Sequence, residues 1–229
     1  MKVLLVIVLY TSITFARTIT VLEIDTGVDA TSHEEIRKHI NMINWHGNPD
    51  YEDFHGHGTH IAGLILKDTC PEVELTSCKY FELEQDGKSN IDKTIKCFKR
   101  ALTQHFDFIN YSSGGQEFSQ IEHDTLGKIK NTIILVAAGN DGHDLSKWHY
   151  YPASYSLPNE ITVGNLNGSW KNESSNFGLK NMVWEQGTKI LSTYQGGRYG
   201  IMTGTSQATA IRTNRLIKEL CEKNVTNKR

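Results

Sequence analysis

Three short stretches carry residue types that could do chemistry, and they lie far apart in the chain. The first, Ile24-Asp25-Thr26-Gly27, is a carboxylate followed by a glycine that lets the chain turn sharply. Alone it reads as a strand-end Asp capping a turn, or as half of a two-carboxylate dyad. The dyad would demand a homodimer, because neither Asp-Thr-Gly nor Asp-Ser-Gly occurs a second time. The second stretch, His55-Gly56-His57-Gly58-Thr59-His60, leads into the apolar Ile61-Ala62-Gly63-Leu64-Ile65. Its imidazoles could bind zinc and activate water, one of them could act as a general base, or the cluster could sit on the surface without a role. The third, Gly204-Thr205-Ser206-Gln207-Ala208, puts a hydroxyl on a glycine-introduced turn into a helix. There the residue's own N–H points outward and can bind an oxyanion, although a Ser at a helix start is most often only a cap.

Such groups work only if regular elements bring them together. Short β-rich runs at Thr18 to Asp25, Glu74 to Phe81, Phe106 to Ser112, Ile133 to Ala138 and Ile161 to Asn165 read as strands, several apolar on both faces as in a covered parallel sheet. Helices fit between them. Ser89 is expected to cap a helix with the core stripe Ile91, Ile95, Phe98 and Leu102; Ser32 with Glu35 forms a capping box for another; a third runs through Ile121, Leu126 and Ile129. Lys189 to Gln195 and Arg198 to Thr203 flank Gly196-Gly197, a hairpin feeding into Ser206. The expected class is α/β: a doubly wound, mostly parallel sheet flanked by helices, with a C-terminal β-hairpin before the Ser206 helix. Ligands in such folds sit beyond the carboxyl ends of the strands.

Composition limits the alternatives. A chain of 229 residues, 38% of them hydrophobic, is long enough for a buried core. Lys plus Arg is 24 against 26 Asp plus Glu, a formal charge of −2 without charged blocks, so nucleic acid is not an expected partner. The one long apolar run, Val3 to Tyr10, is far short of the ~20 residues that span a bilayer. Preceded by Lys2 and followed by Thr14-Phe15-Ala16, it reads as a signal peptide over 1–16, leaving a single domain over 17–229 with no integral membrane segment and a secreted or extracytoplasmic location. Export suits Cys70, Cys78, Cys97 and Cys221, which allow two disulfides by any of three connectivities. No CxxC occurs, so cysteine-ligated metal is the weaker reading.

Taken together, Asp25, His57 and Ser206 follow the chain order Asp, His, Ser of subtilisin. Through Ile24 to Asp29, His57 to Gly63 and Gly204 to Thr209 the chain resembles the subtilisin-like serine proteases, the subtilases. Phe108 to Gly115, Leu135 to Asn140, Tyr151 to Ser154, Ser174 to Gly178 and the hairpin also resemble family segments, from about Thr18 to about Leu220. The resemblance implies a serine endopeptidase with a polypeptide substrate. Ser206 attacks the carbonyl, His57 moves the proton, Asp25 orients the ring and Asn140 donates its amide to the oxyanion. By the same resemblance Ser112, Ser113 and Gly114 bind the extended substrate, while Ala138 and Gly139, with Ala137, line a roomy primary pocket suited to a large apolar residue. His55 and His60 are structural in this reading. No cofactor or metal is implied, the link Lys67 to Pro71 being too short for the family's common calcium loop, and a monomer is expected.

Departures from the family accompany the likeness. If cleavage follows Ala16 the first strand starts at once, with no pro-domain evident. Ser113 stands where the family usually has an apolar residue. After Ser206 the helix carries Arg212 and Arg215 and lacks the family's Pro and His, so it is expected to be less buried. These departures keep open a second function, a catalytically degenerate subtilase fold acting as a secreted peptide-binding module.

Overall fold

The β-branched runs read from the sequence do form strands, and their two apolar faces require a layer on each side. The computed structural model describes residues 17–42, 52–81 and 87–226; the signal peptide expected over 1–16 lies outside the described residues. In chain order the elements are β1 (Ile19–Asp25), α1 (Glu34–Arg37), β2 (Ile40–Met42), α2 (His57–Leu66), β3 (Val73–Lys79), α3 (Gly87–Arg100) and β4 (Phe108–Tyr111). There follow α4 (Gln120–Lys128), β5 (Ile133–Ala137), β6 (Glu160–Asn167), β7 (Trp170–Lys171), β8 (Val183–Gln186), β9 (Ile190–Tyr194), β10 (Arg198–Met202) and α5 (Thr205–Thr226).

The main sheet has the order β2-β3-β1-β4-β5-β6-β7, with β8 also paired to β6. Its pairings are parallel except β6 with β7, and β9 and β10 form a separate antiparallel hairpin. The expected doubly wound α/β class and the hairpin before the Ser206 helix are therefore both present. On one face Ile19, Val21, Leu75 and Leu135 pack against Ile61 and Ile65 of α2 and Ile217 of α5. On the other, Leu22, Ile24, Ile109 and Val136 meet Phe98 of α3 and Leu126 of α4. Disulfides Cys70–Cys221 and Cys78–Cys97 select one of the three connectivities, the first fastening the end of α5 to the loop after α2.

Several local expectations need correction. The Ser32 capping box does not form: α1 is capped at His33, because the Asp29 carboxylate takes Ser32 N–H at 3.2 Å and Glu35 accepts from the Tyr199 hydroxyl. α3 opens at Gly87, before Ser89, and ends at Arg100, leaving Leu102 exposed beyond the stripe of buried Ile95 and Phe98. Ile121 is exposed on α4. The arginines do not lift α5 off the core, since Ala210, Thr213, Asn214 and Ile217 remain buried and Arg215 Nε reaches sideways to Glu185 at 2.9 Å.

Candidate active site

Adjacent strands β1, β4 and β5 end at Asp25, Tyr111 and Ala137 on one carboxyl edge of the sheet, and the starts of α2 and α5 meet that edge through the His57–Asp25 and Ser206–Ser112 contacts. Asp25 Oδ1 accepts from its neighbour Thr26 N–H at 2.8 Å and lies 2.7 Å from His57 Nδ1. With Nδ1–H donated to the carboxylate, Nε2 is the nitrogen that carries the lone pair of the neutral ring. Asp25 is 2% exposed and the ring 21%, so the carboxylate is dry while the imidazole reaches the surface.

What aims His57 is the beginning of α2, whose cap Gly56 has no side chain to satisfy the free N–H groups. Asp53, buried at 3% exposure, supplies the missing acceptor. Its Oδ1 accepts from Gly56 N at 2.8 Å, His55 N at 3.1 Å and Thr26 Oγ1 at 2.8 Å; its Oδ2 accepts from Thr59 N at 2.8 Å and Thr59 Oγ1 at 2.7 Å. Gly58 N then donates to Thr26 Oγ1 at 2.9 Å, so the Asp25 turn and the His57 helix share one polar knot. A Cβ at Gly58 would overlap the Gly27 carbonyl oxygen, which is why this position has to be glycine. At the far end of α2, Asn214 Nδ2 donates to the Ile65 and Lys67 carbonyls at 2.8 and 2.9 Å. Sequence reasoning missed both Asp53 and Asn214; an acid just ahead of a helix start was the signal available for the first.

The other imidazoles take separate positions. His60 is fully buried with Nε2 3.1 Å from the Ile190 and Gly200 carbonyls of the hairpin, while His55 packs edge-on to Phe81. His55 also lies edge-on to His57, 6.1 Å between ring centroids, while His60 is turned to the hairpin, and among the described residues no group of His, Cys, Asp and Glu side chains is arranged to hold a metal ion.

Ser206 is the second residue of α5, 8% exposed. Its Oγ donates to the Ser112 carbonyl at 2.9 Å, and Ser112 Oγ donates back to the Ser206 carbonyl at 3.1 Å. Behind them Asn110 Nδ2 donates to Ser112 Oγ at 2.9 Å and Asn110 Oδ1 accepts from Thr213 Oγ1 at 2.9 Å. Ser112, expected to bind substrate, is thus a buried brace for Ser206, and the more open backbone begins at Ser113. Asn140 Oδ1 accepts from Thr205 N at 2.9 Å and from Thr205 Oγ1 at 3.2 Å, which leaves the other end of that amide, the Nδ2–H₂ donor, to bond elsewhere. Ala138 and Gly139 are held by Asn176, whose Nδ2 donates to the Ala138 carbonyl at 2.9 Å and whose N–H donates to the Gly139 carbonyl at 3.0 Å.

The expected roomy pocket at Ala138 and Gly139 is not open. The Tyr150 ring packs against both Gly139 and Gly114, because Tyr151 pairs with Gly115 in an antiparallel bridge and carries Tyr150 in with it. Ser113 Oγ accepts from the Tyr80 hydroxyl, in keeping with a polar neighbourhood there.

Electrostatics follow from burial and proximity. Burial opposes a charged His57, but the charge of Asp25 and its hydrogen bond, with Asp53 further off, outweigh it and hold the ring's pKa above the usual imidazole range. Glu23 lies two residues before Asp25 on the same strand face, fully buried, and neither of its carboxyl oxygens has a hydrogen-bond partner. Burial, then the nearby charges of Asp25 and Asp53, push its pKa well above the carboxylate range.

Comparison with known proteins identifies the family. The subtilase family (peptidase S8) matches residues 16–216. The chain is 34% identical over 214 residues to the intracellular serine protease of Paenibacillus polymyxa, covering 86% of this chain and 64% of that protein. It is 29% identical over 206 residues to the minor extracellular protease Epr of Bacillus subtilis, covering 84% of this chain and 30% of that protein. The chain thus spans from under a third to just under two thirds of the length of these curated relatives. A solved cold-adapted subtilisin-like serine proteinase superposes with a TM-score of 0.77 at 25% identity, over 91% of this chain and 77% of the other. Sequence match, strand order and the Asp25–His57 pairing agree, and the chain belongs to the subtilase family.

Proposed function

We propose that the chain is a serine endopeptidase that hydrolyses peptide bonds through an acyl-enzyme. Ser206 Oγ attacks the carbonyl carbon while its proton passes to His57 Nε2; the C–N bond breaks as that proton goes to the leaving amine. Water then attacks the acyl carbon by the same route in reverse order and releases Ser206. Asp25 orients the ring and balances the imidazolium. Ser206 N–H and Asn140 Nδ2 face the tetrahedral oxyanion. The scheme needs no cofactor. The single observation that carries it is the 2.7 Å contact between buried Asp25 and His57 at the strand edge that also holds Ser206. All three groups come from one chain, which supports action as a monomer. The signal-like segment over 1–16 and the two disulfides support export, and one of the relatives named above is extracellular, another intracellular.

A second reading, a peptide-binding module without turnover, draws support from the Ser206 hydroxyl, which donates to the Ser112 carbonyl and not to an imidazole. Catalysis requires that one bond to be exchanged for a bond to His57. A fluorophosphonate probe separates the two: labelling of the wild type that disappears in Ser206→Ala supports the enzyme, and absence of labelling with retained peptide binding supports the module. Loss of activity to a chelator alone would count against the metal-free scheme.

A further inference from the structure

In the proposed mechanism the residue that supplies the scissile carbonyl has its oxygen between Ser206 N–H and Asn140. Its backbone runs beside Ser113 to Gly115, so its side chain has to enter the gap between that segment and Ala137 to Gly139, the ends of neighbouring strands. That gap is occupied. A Cβ placed on Gly139 would stand 3.1 Å from Cγ and Cδ1 of Tyr150, and one placed on Gly114 would stand 2.6 Å from Cε1 and 2.9 Å from Cζ of the same ring. The near edge of the ring touches one wall and the far edge the other, so the ring bridges the gap.

Tyr150 is not loosely placed. Tyr151 N donates to the Gly115 carbonyl at 2.7 Å and Gly115 N donates back at 2.9 Å, while Ser154 N donates to the Tyr150 carbonyl at 2.8 Å and Ser154 Oγ accepts from Tyr150 N at 3.0 Å. Burial, with the charge of Asp141 adding, pushes the phenol up to about 12, so it stays neutral across the working range. Gly139 has φ +94°, open only to glycine without strain, so that wall cannot be rebuilt by a side chain.

We propose that Tyr150 is a specificity-determining residue that closes the primary pocket, so that the site accepts glycine or alanine at the acyl position and excludes large apolar residues. The inference rests on the endopeptidase reading and reverses the expectation of a roomy pocket. A cavity of about 330 Å³, lined by Tyr150 together with His143, Trp148 and Asp141, adjoins the ring.

The test is kcat/KM on a series of peptide amides that differ only in glycine, alanine, leucine or phenylalanine at the acyl position. The wild type should favour alanine over phenylalanine by about 100-fold, the scale on which a filled pocket discriminates by size. Tyr150→Ala should bring the two within about threefold, and Tyr150→Phe, which keeps the ring, should retain the preference. A wild type that reacts with the fluorophosphonate probe and, in its unlabelled form, cleaves the phenylalanine peptide as well as the alanine one overturns the inference and leaves the endopeptidase reading standing. The wild-type ratio alone decides this if Tyr150→Ala fails to fold. A protein that neither labels nor cleaves any of the four overturns both.

Discussion

The two halves of the site are built differently. His57 sits on a helix fastened at both ends, by Asp53 at the start and Asn214 at the finish, and its ring is already bonded to Asp25. Ser206 has an equally fixed backbone, but its hydroxyl is parked on the Ser112 carbonyl by one bond, worth only about 1 kcal/mol net. In the proposed mechanism the base is thus oriented before substrate arrives, whereas the nucleophile must first give up its bond to the Ser112 carbonyl. Preorganisation is concentrated where a charge will form, on the imidazolium, because a misplaced buried charge costs far more than a misdirected neutral hydroxyl.

The comparison breaks first if the halves are independent. His57→Ala and Ser206→Ala should each lower kcat by about 10⁶-fold, and the double variant should lose little more, since neither group works without the other. Additive losses measured in single-turnover assays would mean that the halves do not cooperate. Next in size, Asn140→Ala should lower kcat by roughly 10²- to 10³-fold while leaving the unfolding midpoint unchanged; less than threefold would remove it from the oxyanion site. Asp53→Ala leaves five donor bonds without their acceptor, and should cost about 3 kcal/mol in denaturant unfolding together with a fall in kcat. A drop in stability with unaltered kcat would show that the His57 half does not depend on its cap.

The smallest effects concern protons. Because the pKa of His57 is held above about 6.5, kcat/KM should fall on acidification with a midpoint above that value, as the base is lost to protonation. For Glu23 the folded pKa is raised, so its protonated form contributes stability that is complete below about pH 4.3 and is lost as the pH climbs through the elevated value. Glu23→Gln, a neutral isostere, should therefore melt a few degrees higher than the wild type at pH 8 and match it at pH 4. Equal melting at both would show that the buried acid carries no penalty.

Asp25, His57, Asn140 and Ser206 were legible as candidates because each lies inside a stretch whose neighbours mark it: a glycine turn, a helix start, a strand end. The five main strands were legible for a similar reason, since runs apolar on both faces suit only a covered sheet. The shorter β2, β7 and β8 went unread, as two to four residues hold too little periodicity to distinguish strand from loop. Asn214 and Asn176 carry no local mark either, and Asp53 only that of an acid ahead of a helix start; each bonds backbone groups presented by some other part of the chain or by a loop shaped around it.

By itself, then, the sequence determined the class of fold, its five main strands and the stretches whose residue types could do chemistry, because these depend on periodicity and residue chemistry that act over a few positions. Only the tertiary structure decided which cysteines join, that Ser112 braces the nucleophile, that Glu23 lies unpartnered beneath Asp25 and that a tyrosine stands between Gly114 and Gly139. Those outcomes depend on distances between segments remote in sequence, and such distances are fixed only when the sheet and its two helical layers close on one another.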